Sequence, residues 1–183
     1  KILVVSASLD RAVQTVQWCL ALIRNVPELA QLLPGPLQRQ SGKQFDVGPA
    51  LPAQSPSVRG AGITGQITGS RAHLIVPDDV EIPNNSMTVT MREKIGETVK
   101  EFDAILHPGG SVKFLGTPQS EDSLYPKLGA RGYTLRIWPS EYPNKKQRIK
   151  YGDKLSPFIL NRVEKDPTLV GHSVWPERFS DED

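Results

Sequence analysis

Two stretches of this chain carry residue types that could hold a metal ion and a nucleotide. In Leu74-Ile75-Val76-Pro77-Asp78-Asp79-Val80-Glu81 an apolar run ends in clustered carboxylates. In Val112-Lys113-Phe114-Leu115-Gly116-Thr117-Pro118-Gln119 a second apolar run ends in small polar residues. Many α/β enzymes hold Mg²⁺ and a nucleotide with buried strands that deliver acids and hydroxyls to one edge of a sheet. Mg²⁺ takes hard oxygen ligands and keeps several waters, so one or two protein carboxylates suffice. Asp78, directly after the apolar run, is the first candidate ligand. A neighbouring acid can orient an attacking water, and Asp79 and Glu81 compete for that role.

Side chains alternate along a strand, so Asp79 and Glu81 share a face if extension continues past Asp78. The alternative is that these acids cap a turn. Pro77 counts against a central strand, because it removes a backbone donor. In the second stretch Gly116 allows close backbone approach, and Thr117 can hydrogen-bond a phosphate or a water. Alone, Leu115-Gly116-Thr117-Pro118 is also the pattern of a strand ending in a turn.

The elements that would position these residues can be read from periodicity. Lys1 to Ser6 is short, apolar and valine-rich, the signature of a buried strand. Ser8 is placed to cap a helix. Leu9, Ala12, Val13, Val16, Leu20 and Ile23 then follow helical spacing, up to Asn25 and Pro27. Residues 33–57 are proline-rich and loop-like, with a short strand possible at Gln44 to Val47. So long an irregular stretch is more often functional than idle. Residues 58–71 suggest a hairpin, or a short strand with a mobile loop. Ala72 to Val76 is the strand that presents the acids.

Asn84, Asn85 and Ser86 supply turn and cap chemistry. A long amphipathic helix is predicted next, with Met91, Ile95, Val99, Phe102 and Leu106 on one face. Pro108-Gly109-Gly110 turns the chain into a strand at Val112 to Leu115. Ser123 to Leu128 reads as a short helix and Tyr133 to Trp138 as a strand. Residues 144–165 are polar and partly helical. The order predicts an α/β fold with a mostly parallel sheet flanked by helices.

With 183 residues, one domain with a sizeable core is expected. A net charge of +2 is too weak alone to argue for nucleic acid. Cys19 is the only cysteine, which excludes an internal disulfide and fits an intracellular setting. No apolar run approaches the roughly 20 residues of a membrane span, so no membrane partner is expected. The opening Lys1-Ile2-Leu3-Val4-Val5 resembles no signal peptide. It reads as a strand already under way, the start expected of a fragment.

Two motifs are decoys. Gly60-Ala61-Gly62-Ile63-Thr64-Gly65 matches GxGxxG, but a dinucleotide fingerprint needs a helix directly after it. Gly42-Lys43 is followed by Gln44 rather than Ser or Thr, and Gly35 lies at the wrong spacing for a phosphate loop. Lys145, Lys146, Arg148 and Lys150, flanked by Tyr142 and Tyr151, could bind phosphates and stack on bases, or simply form a solvated face. His73, His107 and His172 lack ligand spacing. Cys19 and the three tryptophans read as packing residues.

Taken together, the chain resembles the large terminase subunit, the DNA-packaging motor ATPase of tailed phages. The likeness is strongest to the podovirus type called DNA maturase B. It is carried by Asp46-Val47-Gly48-Pro49-Ala50, Ser55-Pro56-Ser57-Val58 and Gly62-Ile63-Thr64-Gly65-Gln66-Ile67-Thr68-Gly69-Ser70-Arg71-Ala72. It continues through Pro83-Asn84-Asn85-Ser86, Arg92-Glu93-Lys94, Leu115-Gly116-Thr117-Pro118-Gln119 and Trp138-Pro139. Residues 1–145 are covered well and the remainder loosely.

The resemblance implies a P-loop ATPase of the additional-strand catalytic-glutamate type, lacking its phosphate-loop strand. It would occupy residues 1–165, with 166–183 a linker or tail towards an absent nuclease domain. Asp78 matches the Walker B magnesium aspartate. Asp79 falls where most terminases have the catalytic glutamate, so water orientation stays open between Asp79 and Glu81. Leu115-Gly116-Thr117 matches the coupling motif that senses the γ-phosphate, which puts Thr117 and Gln119 near the nucleotide. Ser6-Ala7-Ser8 falls at the strand end after the phosphate-loop helix, so Ser6 and Ser8 join them. Arg71 or Arg59 could reach a neighbouring subunit as an arginine finger, or be a surface arginine.

The implied cofactors are ATP and Mg²⁺. The implied partners are double-stranded DNA, the portal and the small terminase subunit, in the host cytoplasm. Without a phosphate loop or nuclease acids, the chain alone is predicted neither to hydrolyse ATP efficiently nor to cut DNA. A sheet edge left open by the missing strand would invite self-association. Two rivals stand beside this reading: another P-loop motor such as a helicase, and a non-catalytic DNA-binding or self-associating domain.

Overall fold

A computed structural model describes residues 1–120 and 122–180. The chain divides into two compact units, Lys1–Pro126 and Lys127–Asp183.

The first unit is built on a five-stranded sheet. Its strands are β1 (Ile2–Ser6), β2 (Gln44–Phe45), β3 (Val58–Gly62), β4 (Ala72–Asp78) and β5 (Leu106–Val112). Their order is β2-β3-β1-β4-β5. The β3, β1, β4 and β5 strands run parallel, and β2 is antiparallel to β3. The mostly parallel α/β architecture expected from the sequence is therefore present. Leu3, Val4 and Val5 are all buried, so β1 is covered on both faces, as central parallel strands are.

Helix α1 (Leu9–Asn25) follows β1. Ser8 sits in extended conformation and accepts from the Arg11 N–H at 3.3 Å, the N-cap its residue type favours. Asp10 in the first turn and Arg24 in the last complement the helix dipole. Ala12, Val16, Leu20 and Ile23 are buried, and the last three pack with Val4, Phe45 and Val58. The glycines of β3 make this packing possible. A Cβ on Gly60 would lie 3.0 Å from the Ala12 backbone, and one on Gly62 would lie 2.8 Å from the Leu9 nitrogen. The GxGxxG stretch is thus a packing seam followed by a turn, and β3 is an inner parallel strand, not half of a hairpin.

Residues 33–57 are held by two side chains. The Gln38 amide donates to the carbonyls of Val47, Gly48 and Ala50 at 3.0–3.1 Å. Arg39 grips Asp46 through two nitrogens, at 2.8 and 3.3 Å, and donates to the Ala53 and Gln54 carbonyls. Burial pushes the Asp46 carboxyl up, but Arg39 and the Ser57 N–H outweigh it and hold it below the usual carboxylate range.

Beyond β4 come α2 (Pro83–Ser86), α3 (Val89–Lys100) and α4 (Phe102–Ile105). The single long helix expected here breaks at Glu101, because the chain must leave the helix to enter β5. Ile95, Val99 and Phe102 are buried as the pattern implied. Met91 is substantially exposed and Leu106 is already in the strand. Pro108-Gly109-Gly110 does not end an element. It is absorbed as an irregularity in β5, whose register jumps between Ala72↔Leu106 and Leu74↔Ser111. The ladder then runs past Val112. The Lys113 N–H donates to the Ile75 carbonyl at 2.9 Å and the Leu115 N–H to the Pro77 carbonyl at 2.8 Å. Pro77 does lie in a central strand. Its carbonyl faces β5, so its missing N–H removes one rung on that side only. Helix α5 (Leu124–Leu128) begins in this unit and runs across its boundary at Pro126.

The second unit contains the α-helices α6 (Lys145–Tyr151) and α7 (Pro157–Lys165). Its core is Tyr142, Leu155, Ile159 and Val163. The strand expected at Tyr133 to Trp138 is reduced to a single bridge, Ile137↔Leu155, because its neighbour is the turn between the two helices. Residues 166–180, expected as a tail, fold back. A Glu141↔Ser173 bridge and hydrogen bonds from the Tyr142, Gly171 and Val174 amides tie them to residues 140–142. Asp181, Glu182 and Asp183 lie outside the described residues. All three tryptophans are more than half exposed, contrary to their expected packing role.

Candidate functional site

Parallel pairing in register places the ends of four strands in one row. Ser6 is paired with Gly62 on one side and Asp78 on the other. Asp78 is bridged in turn to Leu115, one residue before Gly116-Thr117. Neighbouring strands lie about 4.8 Å apart, so Ser6 and Asp78 are adjacent backbone positions. The carboxyl edge of a parallel sheet is where ligands bind in open α/β folds. The two stretches singled out in the sequence therefore meet, and Ser6 and Ser8 meet them there.

The chain turns sharply after β4. Asp79 has a φ of 44°, a left-handed conformation that aspartate tolerates better than most residues. Its N–H donates to the Leu115 carbonyl at 3.1 Å. This turn ends the alternation, so Asp79 and Glu81 do not share a face. Asp79 is exposed, whereas Val80 and Glu81 are buried.

The three acids consequently meet different surroundings. Glu81 is 2% exposed, and its carboxylate accepts from the Ser123 hydroxyl and, at 3.0 Å, from the Leu124 N–H. It anchors the start of α5. The turn itself is capped by Asn85, which accepts from the Ile82 N–H and donates to the Val80 carbonyl, each at 2.9 Å. Among the described residues, the side chains of Asp78 and Asp79 make no hydrogen bond or salt bridge. They do not cap the turn. Burial raises the Asp78 carboxyl above its usual range and Asp79 adds to this, while Arg11 in the first turn of α1 opposes both. A half-buried acid beside a second acid, with one cation nearby, is an environment that a divalent ion would relieve.

The second stretch is shaped by a residue that sequence reasoning missed. Tyr125 of α5 is buried against Gly116, where a Cβ would collide with its hydroxyl. Its hydroxyl lies 3.5 Å from the Leu115 carbonyl. Burial, with Asp79, Glu81 and Asp78 nearby, pushes the phenol up to about 12. Tyr125 therefore stays a proton donor, and Gly116 is required by packing. Thr117 and Gln119 are exposed beyond it, with the Gln119 amide donating to the Thr117 carbonyl at 3.1 Å. Ser6 is buried at its strand end, and Ser8 is engaged as the α1 cap.

Other candidates lie elsewhere. Arg71 precedes β4, at the opposite edge of the sheet from Asp78, about 20 Å away along a strand of this length. Its guanidinium donates to the Ser70 carbonyl at 2.9 Å. Arg59 donates to the Ser70 hydroxyl at 2.6 Å. A cavity of about 390 Å³ opens beside β3, lined by Lys43, Arg59, Gly62 and Gln66 among others, and neither acid lines it. At the strand ends Asp78 is partly exposed and Asp79 exposed. His73 and His107, scattered in sequence, stack with ring centroids 4.5 Å apart. No group of three potential metal-ligating side chains occurs among the described residues. An acid pair with no third protein ligand suits an ion that keeps its waters, such as Mg²⁺. Cys19 is half-buried beside the core cluster, and burial pushes its thiol up, as suits a packing residue. No helix among the described residues is long and apolar enough to cross a membrane.

No protein-family model matches the chain. Over 188 aligned residues it is 47% identical to the terminase large subunit of Enterobacteria phage T3. The match covers 100% of this chain and 32% of the phage protein, so the chain spans about one third of that relative's length.

Proposed function

This chain is a relative of the phage large terminase subunits along its whole length, and from that premise we propose that it is the central part of an ATP-driven motor that packages double-stranded DNA into capsids. One observation carries the site. Among the described residues the carboxylates of Asp78 and Asp79 make no hydrogen bond or salt bridge, and they stand at the carboxyl edge of the sheet, beside Ser6 and within one strand of Leu115.

In this reading Asp78 holds Mg²⁺ and Asp79 orients the attacking water. Glu81 is left to its place at the start of α5, where Ser123 and Leu124 engage it. Ser6, Ser8, Thr117 and Gln119 would contact the phosphates, and the Gly116-Thr117 turn, packed on Tyr125, would couple them to α5. Bound Mg²⁺-ATP would supply the bond to be cleaved and neutralise charge on its phosphates. Arg71 lies too far along the sheet to act on that site in its own chain, so any finger role is towards a neighbouring copy.

This chain carries no phosphate loop, and alone it hydrolyses ATP poorly. No group of three potential metal-ligating side chains occurs among the described residues, and the expectation is that the chain alone leaves DNA uncut. The partners of the whole motor are duplex DNA, the portal and the small terminase subunit, in the host cytoplasm.

The test is an exchange. This chain replaces the matching third of the phage T3 large subunit, and ATP hydrolysis is measured with duplex DNA. A hybrid within about tenfold of the parent rate supports the reading. A folded hybrid without Mg²⁺-dependent hydrolysis contradicts it. Translocation along duplex without strand separation separates the motor from a helicase.

A second property follows from β5, which pairs on one side only among the described residues. Open strand edges invite pairing, and we propose that this edge lets the isolated chain self-associate. Light scattering at rising concentration should give a mass above 20.2 kDa. A constant monomer mass would remove the proposal.

A further inference from the structure

We propose that the second compact unit carries a base-stacking platform, formed by Trp138, Phe158 and Arg162, for an unpaired nucleic-acid strand. The inference does not rest on the nucleotide site, and it names a surface and a substrate form beyond the duplex of the packaging reading.

Trp138 is 59% exposed and Phe158 49%, yet their rings stack, with centroids 5.4 Å apart and planes 21° from parallel. Exposed aromatics that hold each other in a stack are pre-arranged, not merely left in solvent. The arrangement has a clear cause. Helix α7 turns Ile159 and Val163 into the core, which leaves Phe158 and Arg162, one turn apart, on its outer side. The Arg162 guanidinium lies over the Phe158 ring at 5.6 Å and over the buried Tyr142 ring at 5.7 Å. Trp138 is fixed from the other side. The Ile137 N–H donates to the Lys154 carbonyl at 2.7 Å, and the Ser156 N–H to the Ile137 carbonyl at 2.9 Å. These bonds set Trp138 beside the first turn of α7.

Charge identifies the occupant. Between Arg131 and Lys165 there are nine Lys or Arg residues against three acids, Glu141, Asp153 and Glu164. The whole chain carries only +2 and the whole unit, with eleven Lys or Arg and eight acids, +3, so the excess is concentrated in this stretch around the platform. Helix α6 alone presents Lys145, Lys146, Arg148 and Lys150, with no residue buried. A polyanion with flat rings matches both features. Basic residues take the phosphates and the open aromatic face takes a base. Bases within a duplex are already stacked on one another and cannot reach such a face, so the platform selects unpaired nucleotides.

The experiment uses the full chain, a 15-nucleotide oligodeoxythymidine and a 15-base-pair duplex at low salt, read by tryptophan fluorescence and anisotropy. The single strand should bind and quench fluorescence. Trp138→Ala should weaken it roughly 5- to 150-fold, the range for losing one stacked base, while Trp138→Phe, which keeps a ring, stays within about threefold of the parent. Duplex affinity should not change with either variant. Trp138→Leu repeats the test should the alanine variant lose its circular dichroism spectrum. Four outcomes overturn the proposal: no binding of the single strand, unchanged affinity in folded Trp138→Ala, unchanged affinity in folded Trp138→Leu, or equal dependence of duplex binding on Trp138. Loss of self-association in the Trp138 variants without any oligonucleotide binding would likewise overturn it, assigning the platform to a second copy of the chain.

Discussion

Asp78→Asn lowers Mg²⁺-dependent ATP hydrolysis by the hybrid large subunit about a thousandfold. A metal ion supplies several kcal/mol of charge stabilisation to a phosphoryl transfer, and each 1.36 kcal/mol is tenfold in rate. The asparagine side chain keeps the volume and one oxygen but lacks the charge that holds the ion. The fold should tolerate the change. Asp78 makes no hydrogen bond or salt bridge among the described residues, and its carboxyl is already raised by burial and by Asp79. Thermal stability therefore stays level or rises slightly while the rate collapses. Asp79→Asn loses about 10²–10⁴-fold, the range for a group that handles the water's proton, and, unlike Asp78→Asn, leaves nucleotide affinity nearly intact. A fall in stability that tracks the fall in rate would mean the acids are structural.

Glu81→Ala gives the opposite pattern, a loss of stability of about 3 kcal/mol. The substitution leaves the buried Ser123 hydroxyl and the Leu124 N–H without their acceptor, at about 1–3 kcal/mol for each unsatisfied group, and opens a cavity. Release of α5 also frees Tyr125 from Gly116, so the Gly116-Thr117 turn loosens. Glu81→Gln retains the volume and an acceptor oxygen and should cost about 1 kcal/mol. In the hybrid, Glu81→Gln should hydrolyse ATP within a few-fold of the parent. Chemical denaturation and steady-state rates on the same preparations check both halves. A stable Glu81→Gln protein with hydrolysis abolished would return the water-orienting role to Glu81.

Much of this was legible in the sequence wherever the signal is local. The β1 strand, the Ser8 cap, the buried stripe of α1 and the strand from Ala72 to Val76, which the structure extends to Asp78, follow from periodicity and cap chemistry. So does the meeting of Asp78 with Leu115-Gly116-Thr117, given a parallel sheet. The misses are non-local. Whether extension continues past Asp78 depends on the Leu115 carbonyl waiting for the Asp79 N–H, which no pattern around residue 79 encodes. The fate of Glu81 depends on Ser123 and Leu124, some forty residues away. The strand β3 matches one of the two readings of residues 58–71, the short strand, and the hairpin stood beside it because the glycines that serve α1 also fit a turn. Pro108-Gly109-Gly110 reads as a turn locally, but the pairing of β5 with β4 carries the strand through it. Trp138 and Trp175 look like core residues until the small core of the second unit is seen to be filled by Tyr142, Leu155, Ile159 and Val163.

The central claim is that Asp78 and its row of strand ends form the metal and nucleotide edge. The most direct test is Mn²⁺ in place of Mg²⁺, added with ATP to the isolated chain, with backbone amide signals followed by NMR. Paramagnetic broadening should appear first at Ser6, Asp78, Asp79 and Thr117, spare Arg71 at the far edge, and vanish in Asp78→Asn. Broadening centred elsewhere, or unchanged by Asp78→Asn, would contradict the account.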